Sequence, residues 1–328
     1  DRGDHRIQGM KILLVNPRFP PSLWDYSYCR DITGIAFPFP PLSLATVAAL
    51  TPREHEVSIC DENVRAVDFD TDADVIGITG YSPQKDRVYQ LADEFRRKGK
   101  RVAIGGPLVE RSSVGECAGH ADVVFLGEAE YTWPAFLRDI RSEAVKPLYE
   151  QAGFVDLSDS PAPRFELLEL GAYSAAIIET SRGCPHSCEF CEIPIRLGRG
   201  SRTKSADQVM TEIRRLRALG VDSIFIIDDN FLGNRPRAVA LITRIREFVR
   251  SVDGRLSFSC QFTIDVAQDG EILSLLREAN FRRVFIGIET PRQSTLTMAK
   301  KRQNTQIDLL EAVHRVQAHN IIVWGAFI

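Results

Sequence analysis

Short apolar runs alternate with longer helical stretches along the amino-terminal half of the chain. Lys11-Ile12-Leu13-Leu14-Val15 closes on the turn residues Asn16-Pro17, the form of a parallel strand buried on both faces. Runs of the same kind fall at Glu56–Cys60, Val75–Thr79, Arg101–Ile104 and Val123–Leu126, with helical stretches at Leu42–Leu50, Lys85–Lys98 and Tyr131–Ile140 between them. The alternation predicts an α/β fold, with a doubly wound parallel sheet over residues 11–140. Ligands of such sheets sit at the carboxyl ends of the strands. Those ends are Asn16-Pro17, Gly80-Tyr81-Ser82, Gly105-Gly106-Pro107 and Gly127-Glu128, and their small residues permit close approach of a flat or phosphorylated ligand. For any single glycine among them, a tight turn is the simpler explanation.

Residues 141–172 read as a connector, because Ser158-Asp159-Ser160-Pro161-Ala162-Pro163-Arg164 is loop chemistry without a period. From there residues 173–328 repeat strand and helix. Strands are predicted at Ala175–Glu179, Ser223–Asp228, Leu256–Ile264, Arg283–Glu289 and Ile321–Ile328. Ser205-Ala206-Asp207-Gln208 is a capping box that opens a helix with Val209, Ile213 and Leu216 inward, stopped by Gly220. Asn234 and Pro236 open the next, and further helices are expected near Gly270–Ala279 and Asn304–Ala318. Such repeats close into all or part of a TIM-like barrel, with chemistry at the carboxyl ends of the strands.

Composition changes this picture little. At 328 residues, 44% hydrophobic and 26% charged, the chain reads as a soluble globular protein of two domains. A net charge of -3 offers no global attraction to nucleic acid. The longest uncharged stretch, Ile32 to Pro52, contains four prolines and is a poor membrane span. Residues before Met10 read as an appended leader without the form of a signal peptide, so the expected location is cytoplasmic.

The chemistry concentrates in Cys184-Pro185-His186-Ser187-Cys188-Glu189-Phe190-Cys191. Three closely spaced thiolates after a strand suit a cubane iron–sulfur cluster and leave one of its irons open to another ligand. Zinc is the rival, but it closes with four ligands, and His186 sits between two of the cysteines. Disulfides are disfavoured by the odd total of seven cysteines.

This C-x3-C-x2-C spacing, with an aromatic residue before the last cysteine, resembles the motif of the radical S-adenosylmethionine (radical SAM) enzymes. Thr180-Ser181-Arg182-Gly183-Cys184, the arginine-rich run Arg196 to Lys204, Asp228-Asp229-Asn230-Phe231 and Gly287-Ile288-Glu289-Thr290-Pro291 are similar to the cobalamin-binding branch of that superfamily. Within it they most resemble the hopanoid methylase group. The resemblance runs from about Met10 to Ile328. It implies a Rossmann-like cobalamin-binding domain followed by a partial TIM-like radical SAM barrel. Enzymes of this kind have six barrel strands, so a chain ending inside the fifth reads as lacking a carboxyl-terminal part.

The resemblance also implies the cofactors. Cys184, Cys188 and Cys191 would hold a 4Fe-4S cluster, with Phe190 packed beside it or beside adenine. Gly287, Ile288 and Glu289 would meet the ribose and methionine region of S-adenosyl-L-methionine. A buried strand-end carboxylate needs donors, which that molecule offers, and a helix cap or salt bridge is the alternative for Glu289. Arg199 and Arg202 are candidates for its carboxylate, since guanidinium matches that fork, and solvated surface charge is their plainer role. Asp228 and Asp229 either orient a ligand or cap a turn. Cobalamin would lie on the amino-terminal strand ends (Asn16, Pro17, Gly80, Tyr81, Ser82, Gly105, Gly106, Gly127 and Glu128). Corrinoid mutases carry Asp-x-His-x-x-Gly beneath the cobalt. Here only His55 and His120 follow the leader in this half, and neither fits, so cobalamin without a histidine lower ligand is expected.

Cys29, Cys60 and Cys117 raise the second cluster of the methylthiotransferases, although buried inert thiols explain them better. By resemblance the reaction is methyl transfer from methylcobalamin to an unactivated carbon of a hydrophobic, lipid-like substrate, after hydrogen abstraction by a 5′-deoxyadenosyl radical. A cyclase or ring-remodelling enzyme using the same cofactors is the alternative, and a methylthiotransferase a more distant one. The implied partners are an electron donor such as flavodoxin or ferredoxin, and a membrane surface met peripherally through the substrate.

Overall fold

The computed structural model describes residues 9–22, 28, 30–252 and 254–328, and the chain divides into two compact units. One holds the residues up to Val155 together with Asp159–Ser174; the other holds Asp156–Ser158 and Ala175–Ile328. Among the described residues, no helix is long and apolar enough to cross a membrane.

The first unit runs β1 (Lys11–Asn16), α1 (Arg30–Thr33), α2 (Leu42–Leu50), β2 (Glu56–Asp61), β3 (Val75–Ile78), α3 (Lys85–Arg97), β4 (Arg101–Ile104), α4 (Val114–His120), β5 (Val123–Leu126), α5 (Thr132–Arg141) and β6 (Leu148–Glu150). The strands form one sheet in the order β2-β1-β3-β4-β5-β6, and the pairings are parallel throughout. Residues of β1 and β3 are buried almost without interruption, as a sheet covered on both faces requires. Val88, Leu91, Ala92 and Phe95 of α3 and Trp133, Phe136 and Leu137 of α5 supply buried cover. The strand order reverses direction between β1 and β3, the switch point where doubly wound sheets open a ligand crevice.

The sixth strand, Leu148–Glu150, lies inside the stretch that reads in sequence as connector. Three residues are too few to show a period, and its pairing with β5 is what makes it a strand. Helix α4 likewise leaves little trace, because Val-Gly-Glu-Cys-Ala-Gly-His mixes glycine with one fully buried residue, Cys117. Cys60 is buried as well, and Cys29 lies outside the described residues.

The second unit runs β7 (Ala176–Ile178), β8 (Ser181–Arg182), α6 (Ile193–Arg196), β9 (Arg202–Thr203), α7 (Ala206–Ala218), β10 (Ser223–Ile226), α8 (Arg235–Ser251), β11 (Ser257–Gln261), α9 (Gly270–Glu278), β12 (Phe281–Glu289), α10 (Gln293–Met298), α11 (Arg302–Thr305), α12 (Leu309–Ala318) and β13 (Ile322–Phe327). Strands β7, β10, β11, β12 and β13 stand side by side in chain order, all parallel, which is the arrangement of a partial (β/α) barrel. Strands β8 and β9 form a separate antiparallel pair that flanks the cysteine loop in sequence. The Ser205–Gln208 capping box forms, with the Ser205 side chain accepting from the Gln208 N–H. The helix expected from Asn304 instead breaks into α11 and α12, because the Asp308 side chain accepts from Glu311 N–H and starts a new helix there.

Behind the carboxyl end of β7, Lys204 and Glu212 form an ion pair of 2.7 Å whose side chains are 3% and 1% exposed. Burial pushes the Glu212 carboxyl up to about 7, with the Lys204 charge opposing it. A carboxyl raised from 4.5 keeps a proton in the folded state that the unfolded chain has lost. Its contribution to stability is therefore complete below pH 4.5 and falls away as pH rises through about 7. Urea unfolding across that window should show the decline in the wild-type chain. The decline should flatten in Glu212→Gln, and an unchanged slope in that variant would assign it to other groups.

Candidate functional site

The cysteine loop of the second unit is fixed at its entrance by two aspartates. Asp228 is fully buried; its carboxylate accepts from Thr180 N–H at 2.6 Å, Thr180 Oγ1 at 2.5 Å and Ser181 Oγ at 2.7 Å. Arg237 donates from the far side to Thr180 Oγ1, Thr180 O and Lys204 O. Asp229 Oδ2 accepts from Gly183 N–H at 2.8 Å. These contacts make both aspartates holders of the strand end in this structure, the turn-capping side of the sequence expectation. Gly183 has φ +91°, and a Cβ there would overlap Gly200 O and lie 2.9 Å from Gly198 O. Only glycine suits both the dihedral and the close approach.

Beyond that turn, Cys184, Cys188 and Cys191 share one loop, each half-buried and none in a disulfide. Cys184 N–H donates to Gly198 O, Cys191 N–H to Cys188 O, and Glu189 N–H to Ala299 O. Burial pushes the Cys184 and Cys191 thiols up, and the neighbouring cysteines add to it. Coordination to iron reverses that direction by stabilising the thiolate. Three thiols on one short loop match the ligand count of a cubane cluster, but among the described residues no group of three His, Cys, Asp or Glu side chains is gathered so that it could hold a metal ion.

The Gly287-Ile288-Glu289 segment ends β12, and Glu289 has a positive φ of 63°. Its carboxylate pairs with Lys301 Nζ, and both residues are buried. A Cβ on Gly287 would overlap the Glu289 carboxylate and the Lys301 ammonium. The salt bridge given as the alternative role for Glu289 is thus present. Lys301 also stands over the Phe190 ring, 5.6 Å from its centroid. Gln303 Nε2 lies 3.5 Å from Cys188 Sγ, while Asn304 Nδ2 donates to Gly287 O at 2.9 Å and Ile288 O at 3.0 Å. Lys301 and Gln303 belong to no motif, and Asn304 stands out in sequence only as the start of an expected helix. Arg199 is exposed, and Arg202 donates to Leu197 O at 3.2 Å.

In the first unit, Asn16-Pro17, Gly80-Tyr81-Ser82, Gly105-Gly106 and Gly127-Glu128 all follow the carboxyl ends of β1, β3, β4 and β5. Several meet the demands of their own turns. Gly106 and Gly127 have φ of +87° and +92°, and Glu128 accepts from Val155 N–H at 2.9 Å. Asn16 is buried and donates to Asp61, which also accepts from Asn63 and from Tyr173 Oη at 2.8 Å. Gln84 bridges Asn16, Pro17 and the Tyr81 N–H, tying the two loops at the switch point together. Above them Phe19 stacks on Phe37 at 5.4 Å and meets Tyr81 at 6.0 Å, with Tyr81 54% exposed. An aromatic face beside a switch point suits a flat macrocycle such as a corrin. Asp61, Gln84, Tyr173 and the two phenylalanines were not apparent in sequence, since no short spacing links them. His55 accepts from Met10 N–H ahead of β2, and His120 pairs with Asp93 at the end of α4, both before a strand rather than after one.

The two sheets and their sites define a chain with two cofactor domains. A model of the B12 binding domain matches residues 32–137 and one of the Radical SAM superfamily matches residues 178–328, so the chain belongs to the radical SAM enzymes that carry a B12 binding domain. It is 36% identical over 311 residues to an uncharacterized methyltransferase of Synechocystis sp., covering 94% of this chain and 58% of that protein. It is 31% identical over 326 residues to the hopanoid C-2 methylase of Rhodopseudomonas palustris, covering 97% and 62%. The chain thus spans about three-fifths of the length of these curated relatives. The radical SAM methyltransferase TsrM of Kitasatospora setae, solved with cobalamin and a 4Fe-4S cluster, shares the fold with a TM-score of 0.74 at 18% identity, over 97% of this chain and 69% of that one.

The Gly183 turn yields a direct test. Gly183→Ala should lower the iron retained after anaerobic reconstitution by about tenfold or more, as loss of a ligand-orienting contact does. Iron content equal to that of the unsubstituted chain would show that the turn tolerates a side chain.

Proposed function

We propose that this chain carries the catalytic domains of a cobalamin-dependent radical SAM methylase acting on an unactivated carbon of a hydrophobic, lipid-like substrate. The observation that carries the reading is the similarity to a hopanoid methylase across nearly the whole chain, over both cofactor domains. In this reading Cys184, Cys188 and Cys191 ligate the 4Fe-4S cluster, Phe190 packs against it, and Gly287, Ile288 and Glu289 receive S-adenosyl-L-methionine. Asn16, Pro17, Gly80, Tyr81, Ser82, Gly105, Gly106, Gly127 and Glu128 line the cobalamin, which takes no histidine below the metal. When bound, these groups supply a carbon-centred oxidant and a transferable methyl group. The protein's own task is positional: Asp228 and Asp229 hold the cluster loop, and Gln84 with Asp61 holds the loops at the switch point. The cluster draws its electron from a small donor such as flavodoxin or ferredoxin. The setting is the cytoplasm, with peripheral contact to a membrane where the lipid-like substrate resides.

Two measurements test it. Anaerobically purified protein should contain four irons and one cobalt, which the ligand sets above require. Alanine at any one of the three cysteines should abolish cleavage of S-adenosylmethionine while the cobalamin remains bound; full reductive cleavage in the triple variant would sink the assignment. Methyl-deuterated S-adenosylmethionine then separates the reactions. Label in a carbon-methylated product, with 5′-deoxyadenosine and S-adenosylhomocysteine, supports the methylase. Deoxyadenosine with no labelled product moves the assignment to a cyclase or ring-remodelling enzyme.

A further inference from the structure

Two stretches of the second unit meet at the outer side of the cysteine loop. Glu189 N–H donates to Ala299 O, and Lys300 pairs with Glu189 at 2.5 Å, so residues 189–199 run beside the turn after α10. Ile195 on the first stretch is 84% exposed, and Met298 on the second is 78% exposed. Charge gathers around these two apolar side chains. The carboxylates of residues 189–199 and 292–302 are Glu189 and Glu192, and they are answered by Lys300 and Arg196. Arg199, Arg292 and Arg302 are exposed and make no ion pair among the described residues. These arginines are surplus positive charge on a chain whose net charge is -3. Lone surface arginines are ordinarily just solvated, but an apolar centre with a cationic rim has the composition of an interface.

The patch shares its loop with Cys184, Cys188 and Cys191, each only half-buried, so a redox group held by them stands close to this surface. We infer that the patch is the docking surface for a small acidic electron-carrier protein, with Ile195 and Met298 at its centre and Arg199, Arg292 and Arg302 on its rim. This rests on the proposed cluster at the three cysteines, and it says where the donor meets the chain. One electron passes: the reduced carrier loses it, the cluster gains it, and no atom or proton crosses. Such transfer weakens steeply with distance, so the carrier has to seat beside the cysteine loop. Redox encounters of this kind are small and short-lived, and charge complementarity supplies their orientation and their rate. The surplus of arginines selects an acidic carrier over a basic one.

Titration calorimetry of the reconstituted full chain tests the surface without turnover, using three oxidised carriers: an acidic flavodoxin, an acidic ferredoxin and the basic cytochrome c. The acidic carriers should bind, and about tenfold or more of their affinity should be lost between about 0.05 M and 0.5 M salt as the rim charges are screened. Arg302→Glu and Ile195→Ser should each weaken them about three- to tenfold. Arg53→Glu, at an exposed arginine of the first unit, changes the net charge equally and should stay within about twofold. Equal weakening by Arg53→Glu and Arg302→Glu would overturn the inference, as would unchanged binding in both Arg302→Glu and Ile195→Ser. Cytochrome c binding as tightly as flavodoxin would also overturn it. So would phosphatidylglycerol vesicles that bind through Ile195 and Arg302 while the carriers do not, since the patch would then face a membrane. Iron content and reduction by dithionite are read on the same samples. A chain that takes up no iron removes the cluster beneath the inference, and the inference with it; a fully loaded chain that binds no acidic carrier overturns the inference alone.

Discussion

The cysteine loop depends on a buried carboxylate. Asp228 lies just past the end of β10, fully excluded from solvent, and its two oxygens accept three hydrogen bonds from Thr180 and Ser181 on the neighbouring chain segment. A buried carboxylate without donors is costly, and so are buried N–H and hydroxyl groups without an acceptor. Each side therefore enforces the other, and the path of residues 180–183 becomes nearly single-valued. Asp229 adds one bond to Gly183 N–H, at the residue where the left-handed turn sends the chain toward Cys184. The three cysteines stand on a loop, and its entrance is anchored to the chain beyond β10 through these two side chains.

The first unit solves the same problem in the same way. Asp61 ends β2 and is buried; burial pushes its carboxyl up, while donors from Asn63, Tyr173 and Asn16 oppose that push. Tyr173 in turn belongs to a segment hydrogen-bonded to residues 36–38, which carry the Phe37 ring of the aromatic face. In both units a strand-end aspartate gathers neighbouring loops, and the candidate site residues come close behind in the chain. Parallel sheets lend themselves to this, because every carboxyl end lies on one edge and adjacent loops can share one acceptor.

Much of this architecture was legible before any coordinates. Buried parallel strands are continuous apolar runs, so β1, β3, β4 and β5 stand out within a residue or so of their bounds, as do the capping box at Ser205 and the three cysteines. What stayed hidden was whatever depends on residues brought together by folding. Tyr173 reaches Asp61 across 112 positions of sequence, and no local spacing announces it. Strand β6 exists because β5 offers it an edge. Lys301 meets Glu289 across 12 positions only because Glu289 takes a left-handed φ and α10 intervenes between them. The roles of Asp228 and Asp229 were open between ligand and turn for the same reason. An Asp-Asp-Asn run reads alike in either case, and its partners at residues 180–183 lie on a segment that no local spacing points to.

Among the described residues the second unit buries two lysine–glutamate pairs, and the contrast between them clarifies both. Lys204 and Glu212 lie behind the sheet; the lysine carbonyl accepts from Arg237, and its amide donates to Thr180 O. That pair ties the segment after β9 to α7. Lys301 and Glu289 close over Gly287, where a Cβ would overlap both charged ends, beside the Phe190 ring and two carbonyls already satisfied by Asn304. Both pairs carry the desolvation cost of buried charge, which stability alone rarely justifies. The first offsets it by joining elements of the fold. The second joins the cysteine loop to the end of β12, through the Phe190 ring and the segment that carries Gln303 and Asn304.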